Sequence, residues 1–164
     1  MNVMKQTIAS MYSKHQILDA VFLTRVNDRR KNLFENLWPL PDGVSYNSYL
    51  IRDEKCVLMD TIEASVLGDR QLDYLVIHHM ELDHSGEIQS LLQRYPNVKI
   101  IGNVKTFKVL CGYLGELPNL VEVKDGDTLD LGHHKLKFVF TPWVHWPETM
   151  MSYDMTDGIL FSGD

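Results

Sequence analysis

One segment constrains this chain more than any other. From position 74 it reads Tyr74-Leu75-Val76-Ile77-His78-His79-Met80-Glu81-Leu82-Asp83-His84-Ser85-Gly86: a short apolar run of strand character passes straight into five side chains of metal-ligand type, after which Ser85-Gly86 opens a helix. Loops leaving the C-terminal ends of strands are where open α/β sheets build their sites. His79, Glu81 and Asp83 alternate, so on an extended or gently curved loop they project to one side, with His84 turned by the bend that starts the helix. On a helix these three would not share a face. That separates the pattern from the His-Glu-x-x-His zinc signature, whose ligands sit four apart. Any one of these residues alone reads as a solvated side chain. Four of them within six positions crowd like charges and imidazoles into a partly desolvated pocket, a cost that a bound cation offsets. His78, by its parity along the strand, faces the other way and reads as a packing residue or a support behind the ligands.

The rest of the chain has the pattern of an α/β domain with a mixed sheet covered by helices. Short runs rich in β-branched and aromatic residues predict strands over 20–26, 48–52, 56–59, 74–77, 98–102, 120–123, 135–141 and 159–161. Helical spacing over 87–95 puts Ile88, Leu91, Leu92 and Tyr95 on one face with Pro96 as the stop, and over 104–113 it does the same with Phe107, Leu110 and Cys111. Asp53-Glu54, Asp125-Gly126-Asp127 and Leu131-Gly132-His133 read as turns between antiparallel strands. The stretch from Pro39 to Gly43, flanked by Trp38 and Tyr46, reads as a packed loop. Two strands deliver further ligand candidates. The run over 135–141 ends in Pro142-Trp143-Val144-His145-Trp146-Pro147, which sets His145 at a strand-to-loop junction among aromatics that would exclude water. The run over 159–161 delivers Asp164 in the same manner. Taken alone, His145 reads equally as a core histidine and Asp164 as a residue without a role.

Composition narrows the class. With 45% hydrophobic and 23% charged residues, the 164-residue chain can bury a real core. Sixteen Lys plus Arg against 22 Asp plus Glu leave a formal charge of −6, which argues against nucleic acid; the one basic knot, from Arg25 to Lys31, is interrupted by Asp28. Cys56 and Cys111 lack a Cys-x-x-Cys partner and read as reduced thiols of a cytoplasmic protein. No run reaches membrane-spanning length, and residues 1–15 lack the apolar core of a signal peptide.

Together these motifs resemble the metallo-β-lactamase superfamily, whose site uses a His-x-His-x-Asp-His loop followed by a later His, a later Asp and a last His. Glu81 stands where the second of those histidines falls. The resulting His79-x-Glu81-x-Asp83-His84 is similar to the flavodiiron branch, also called A-type flavoproteins. Supporting matches are the segment from Trp38 to Ile51, Leu58-Met59-Asp60-Thr61, His145-Trp146-Pro147-Glu148-Thr149-Met150 and Phe161-Ser162-Gly163-Asp164, with His145 and Asp164 separated by 19 positions.

The resemblance implies an αββα sandwich, of which residues 1–164 would be the first part, with mixed β-sheets flanked by helices. It implies one iron held by His79, Glu81 and His145, a second held by Asp83 and His84, Asp164 bridging the two, and Asp60 steadying the ligand loop from behind. From sequence alone Asp60 reads equally as a turn or helix cap. The implied activity is reduction of O2 to water or of NO to N2O at a non-haem diiron site. The electrons would come from FMN in a flavodoxin-like domain absent from this chain, supplied in turn by a donor such as rubredoxin or a flavin reductase, in a head-to-tail homodimer. The family's last histidine would lie beyond Asp164. Three carboxylates, Glu81, Asp83 and Asp164, bring a pair of divalent ions close to neutrality and suit ferric iron as hard oxygen donors, so iron is favoured over zinc, with manganese also compatible. Two other classes stay open: a diiron oxygen-binding or sensing module without flavin, and a metallohydrolase using a metal-activated water.

Overall fold

The computed structural model describes residues 12–34 and 36–164. Most of the N-terminal stretch read above, residues 1–11, lies outside the described residues. In chain order the strands are β1 (Tyr12–Gln16), β2 (Val21–Asp28), β3 (Leu33–Phe34), β4 (Trp38–Pro39), β5 (Val44–Arg52), β6 (Cys56–Met59), β7 (Tyr74–Val76), β8 (Lys99–Gly102), β9 (Leu120–Glu122), β10 (Thr128–Asp130), β11 (Lys135–Phe140), β12 (Met150–Asp154) and β13 (Ile159–Phe161). The helices are α1 (Leu82–Ser85), α2 (Ile88–Arg94) and α3 (Val104–Leu114), with a 3-10 turn at Ala64–Leu67.

Seven strands form one mixed sheet in the order β1-β2-β5-β6-β7-β8-β9, β10 to β13 form a second, and β3 and β4 make a small ladder. Pairing is antiparallel from β1 to β6 and parallel from β6 to β9. Parallel neighbours need crossovers, and α1–α2 and α3 supply them between β7 and β8 and between β8 and β9. The central strands bury both faces, which is why they read as continuous apolar runs. Leu58, Leu75 and Ile100 point to the side where Ile88, Leu91 and Leu110 of the helices pack. Their neighbours Val57, Val76 and Ile101 point to the side where Leu136, Phe138, Met150 and Phe161 of the second sheet pack. The layers are thus helices, large sheet, second sheet. Because β6, β7 and β8 run parallel, their C-terminal ends open at one edge, and Asp60, the His78–His84 segment and Asn103 meet there.

Several expectations are corrected by the fold. Strands β1, β10 and β12 were not legible: β1 reads Tyr-Ser-Lys-His-Gln, β10 has only three residues, and β12 is a Met-Met-Ser-Tyr-Asp run of weak strand preference. The Asp125-Gly126-Asp127 turn does not join antiparallel neighbours, because β9 lies parallel to β8 and the turn carries the chain to the other sheet. The segment around Trp38 is an exposed ladder rather than a packed loop, with Trp38 65% exposed. Gly43 is nevertheless confined: at φ 76° a Cβ there would run into the Asp28 carbonyl.

Candidate metal centre

Strand β7 ends at Val76, and the following backbone is tied at once to its neighbours, Ile77 N–H donating to the Ile101 carbonyl (3.0 Å) and His78 N–H to Asp60 Oδ1 (2.8 Å). The chain then bends earlier than the sequence implied. Helix α1 begins at Leu82 with extended Glu81 at its N-cap, and Gly86 closes that short helix instead of opening one. Ser85 drives the bend, since its hydroxyl donates to the carbonyls of Met80 (3.0 Å) and Glu81 (2.9 Å). His79 therefore leaves from the stretch between β7 and α1 and Glu81 from an extended N-cap, while Asp83 and His84 leave from a helical turn.

The second sheet brings in the remaining candidates. The turn between β11 and β12 is closed by Trp143 N–H to the Trp146 carbonyl (2.8 Å) and by the Thr149 hydroxyl to the Trp146 carbonyl (2.9 Å), and it presents His145. Beyond β13, Gly163 takes φ 70° against His78, which directs the chain to Asp164. His79 Nε2 lies 3.0 Å from Glu81 Oε2, and His145 Nε2 lies 3.5 Å from the same oxygen and 3.1 Å from Asp164 Oδ2. One ligand atom from each of these four residues falls within 4.8 Å of the others. Asp83 and His84 adjoin them, with Oδ2 and Nε2 3.6 Å apart, and line a cleft of about 170 Å³ together with Asp60, His78 and Asp164. A larger cleft of about 490 Å³, walled by Phe34, Tyr46 and Ile62, ends on Glu81 and Asp83. The aromatics around His145 do not seal it from water: its side chain is 53% exposed and Trp143 is 72% exposed, whereas Trp146 packs edge-on against His79.

Behind the cluster lies a layer of buried polar groups. Asp60 Oδ2 stands 3.1 Å from His84 Nδ1 and 3.3 Å from His78 Nδ1, directly behind the candidate loop. Burial by itself would raise the Asp60 pKa, but His78 and His84 reverse this and hold the carboxyl well below the usual carboxylate range. Burial likewise disfavours a charged His84, yet Asp60 first and then Asp83 and Asp164 raise it to about 9. A metal taking His84 Nε2 displaces that proton. His78 faces away from the cluster as its parity predicted, and its Nε2 meets Ser152 Oγ at 2.7 Å. Ser152, His78 and Asp60 have the order of a hydrolase triad, but they are 0, 2 and 4% exposed, so no substrate reaches the hydroxyl and the chain of bonds serves to join the two sheets.

Sequence reasoning missed Glu148. Its carboxylate is buried and accepts from His79 Nδ1 (2.9 Å) and Met80 N–H (3.1 Å) across 69 and 68 positions. The only sequence signal was a lone acid inside the apolar Trp146-Pro147 turn. It also missed His134 and Asp154, whose 2.9 Å pair fastens the β10–β11 turn to the β12–β13 turn, where Asp154 also accepts from Thr156 N–H (3.0 Å).

The donor set fits a pair of hard cations. Two imidazole nitrogens and two carboxylates converge, a further carboxylate and imidazole adjoin them, and Nδ1 of His79 and of His84 already faces a carboxylate, which leaves Nε2 directed at the cluster.

Fold and site together define a metallo-β-lactamase-like α/β domain. The model of the family described as ODP family beta lactamase matches residues 44–164. The anaerobic nitric oxide reductase flavorubredoxin of Pectobacterium atrosepticum is 41% identical over 135 residues, which are 74% of this chain and 26% of that protein. Among solved structures, a point-mutant form of the flavo di-iron protein from Thermotoga maritima superposes with a TM-score of 0.83 at 33% identity, covering 92% of this chain and 41% of that one. Rubredoxin oxygen:oxidoreductase from Desulfovibrio gigas superposes with 0.79 at 32% identity, covering 87% and 38%. The chain belongs to the flavodiiron family, whose β-lactamase-like domain it matches. It spans 26–28% of the length of the curated relatives it matches. Among the described residues no helix is long and apolar enough to cross a membrane.

Proposed function

We propose that this chain forms the metal-holding part of a flavodiiron oxygen or nitric oxide reductase. In this reading His79, Glu81 and His145 would hold one iron and Asp83 and His84 the other, with Asp164 available to both. The observation that carries it is the convergence of His79, Glu81, His145 and Asp164 within 4.8 Å, with Glu81 supplying a carboxylate inside the set. Two ferrous ions, when bound, supply the pair of electrons that couples two NO to N2O and half of what O2 needs to become water. The protein's own part is to hold the donors at fixed spacing, to keep His79 dry against Trp146, and to leave a route along the larger cleft to Glu81 and Asp83. The further electrons would come from FMN in a flavodoxin-like domain not contained in these residues, with a head-to-tail homodimer bringing one subunit's flavin to the other's irons. The names of the flavorubredoxin and the rubredoxin oxygen:oxidoreductase among the similar proteins support a rubredoxin-type donor and O2 or NO as substrate.

Anaerobic reconstitution with ferrous iron, followed by mixing the reduced protein with NO or O2, tests this. Iron bound per chain and N2O formation or O2 consumption are the readouts, and both are expected to collapse in Glu81→Ala and His145→Ala. Reversible O2 binding without consumption would point to a sensing module instead. Retained zinc with thioester or lactone hydrolysis and no gas consumption would replace the proposal with a hydrolase.

A further inference from the structure

We propose that Glu148 is the positioning residue of the candidate metal centre, acting through His79; the inference rests on the metal-binding reading of that cluster. Glu148 sits in the turn before β12, with a side chain 0% exposed, and its only ion-pair partner among the described residues is His79. One carboxylate oxygen, Oε1, accepts from both His79 Nδ1 and Met80 N–H, so it fixes the ring and the backbone of the adjacent residue together. An acceptor at Nδ1 selects the tautomer in which Nδ1 carries the proton and Nε2 offers its lone pair, and Nε2 is the atom that faces Glu81 at 3.0 Å. The other oxygen, Oε2, is buried and has no partner among the described residues. For packing alone this is a poor arrangement, because a desolvated carboxylate with an unbonded oxygen is destabilising. It is a favourable one if positive charge arrives through the imidazole, since a carboxylate behind a ligand histidine raises its donor strength.

The position of Glu148 is itself held from outside the site. Its backbone carbonyl accepts from Asn103 Nδ2 at 2.7 Å, and Asn103 caps α3 through Lys105 N–H and Thr106 N–H. The orientation of a ligand from β7 is thereby referred to the start of a helix after β8.

Two variants separate charge from shape. Glu148→Gln keeps an oxygen that can accept from Nδ1 and removes the charge; Glu148→Ala removes both. Cobalt(II) titration of the purified protein, read by visible absorption, gives the affinity, thermal melting of the metal-free protein reports folding, and the midpoint potential of the iron-loaded centre reports charge. Cobalt affinity is expected to fall about 10- to 100-fold in Glu148→Ala and by a smaller factor in Glu148→Gln. The potential is expected to move upward in Glu148→Gln, because a less donating imidazole stabilises the ferric state less. If Glu148→Ala does not fold, Glu148→Gln decides alone. Wild-type affinity and potential in Glu148→Gln would overturn the inference while leaving the metal reading intact. Absence of cobalt binding in the wild type, matched by His79→Ala, would overturn both.

Discussion

Asp60 carries more of the site's geometry than its one-residue position after β6 would suggest. It adopts φ 59°, in the left-handed region that Asp tolerates better than most residues, and the strain is offset by the bonds its carboxylate makes to His78 N–H, His78 Nδ1 and His84 Nδ1. Asp60→Ala leaves a buried N–H and two ring nitrogens without that partner. We expect it to cost about 3 kcal/mol in urea unfolding of the metal-free protein, the range for breaking a buried charged network. Glu81 tests a different property of a single residue, since it decides the charge of the donor set and not its shape. Glu81→His replaces a hard anionic oxygen by a neutral nitrogen, and the iron-to-zinc ratio taken up from an equimolar mixture is expected to fall. His79, Glu81, Asp83 and His84 were legible from spacing alone because they lie within six positions. Glu148 was not, because its partner is 69 positions away and a lone acid in an apolar turn does not say what it faces.

At the scale of elements, the site depends on where helices start and how hairpins meet. Asn103 does two jobs at the N-terminus of α3: Oδ1 caps Lys105 and Thr106, and Nδ2 holds the Glu148 carbonyl. Asn103→Asp keeps the cap and loses the second bond; Asn103→Ala loses both. Thermal melting should place Asn103→Ala about 1–2 kcal/mol below wild type with Asn103→Asp between them. Asp53, in the β5–β6 turn, reaches across to the second sheet, accepting from His134 N–H (2.6 Å) as well as from Glu54 N–H (2.8 Å). Burial raises its pKa, but these N–H donors lower it by more, so the net shift is below the ordinary 3.8. A depressed folded-state pKa means a contribution that is complete above 3.8 and is lost as pH falls through the lower folded value. Asp53→Asn is therefore expected to be about 1 kcal/mol less stable than wild type near neutral pH, with the gap closing in acid, as read by urea unfolding across that range. The paired ends of β5 and β6 were visible in sequence through apolar runs around Asp53-Glu54, whereas β12 was not, because its Met, Ser and Asp residues become strand only when β11 and β13 flank them.

For the whole molecule, the decisive fact is that the candidate ligands come from both sheets. His79, Glu81, Asp83 and His84 follow a strand of the large sheet, and His145 and Asp164 follow strands of the second. A metal bound there joins the two layers and is absent from the unfolded chain, so loading should stabilise the protein by mass action. At a free metal concentration a hundredfold above Kd the gain is about 2.7 kcal/mol, roughly 5–10 °C in Tm for a domain of this size. Calorimetry with and without a chelator measures it, and an unchanged Tm would mean that the six residues do not share a metal. The sequence by itself determined the α/β character, the central buried strands and the donor types gathered in the candidate ligand loop, because hydrophobic periodicity and close spacing are local properties. Tertiary structure alone decided that His145 and Asp164 reach that loop, that α1 turns Asp83 and His84 to their side of it, and that Asp60 and Glu148 stand behind the histidines. Each of those depends on how two sheets pack face to face, and the separations across that interface leave no periodic trace in the order of the residues.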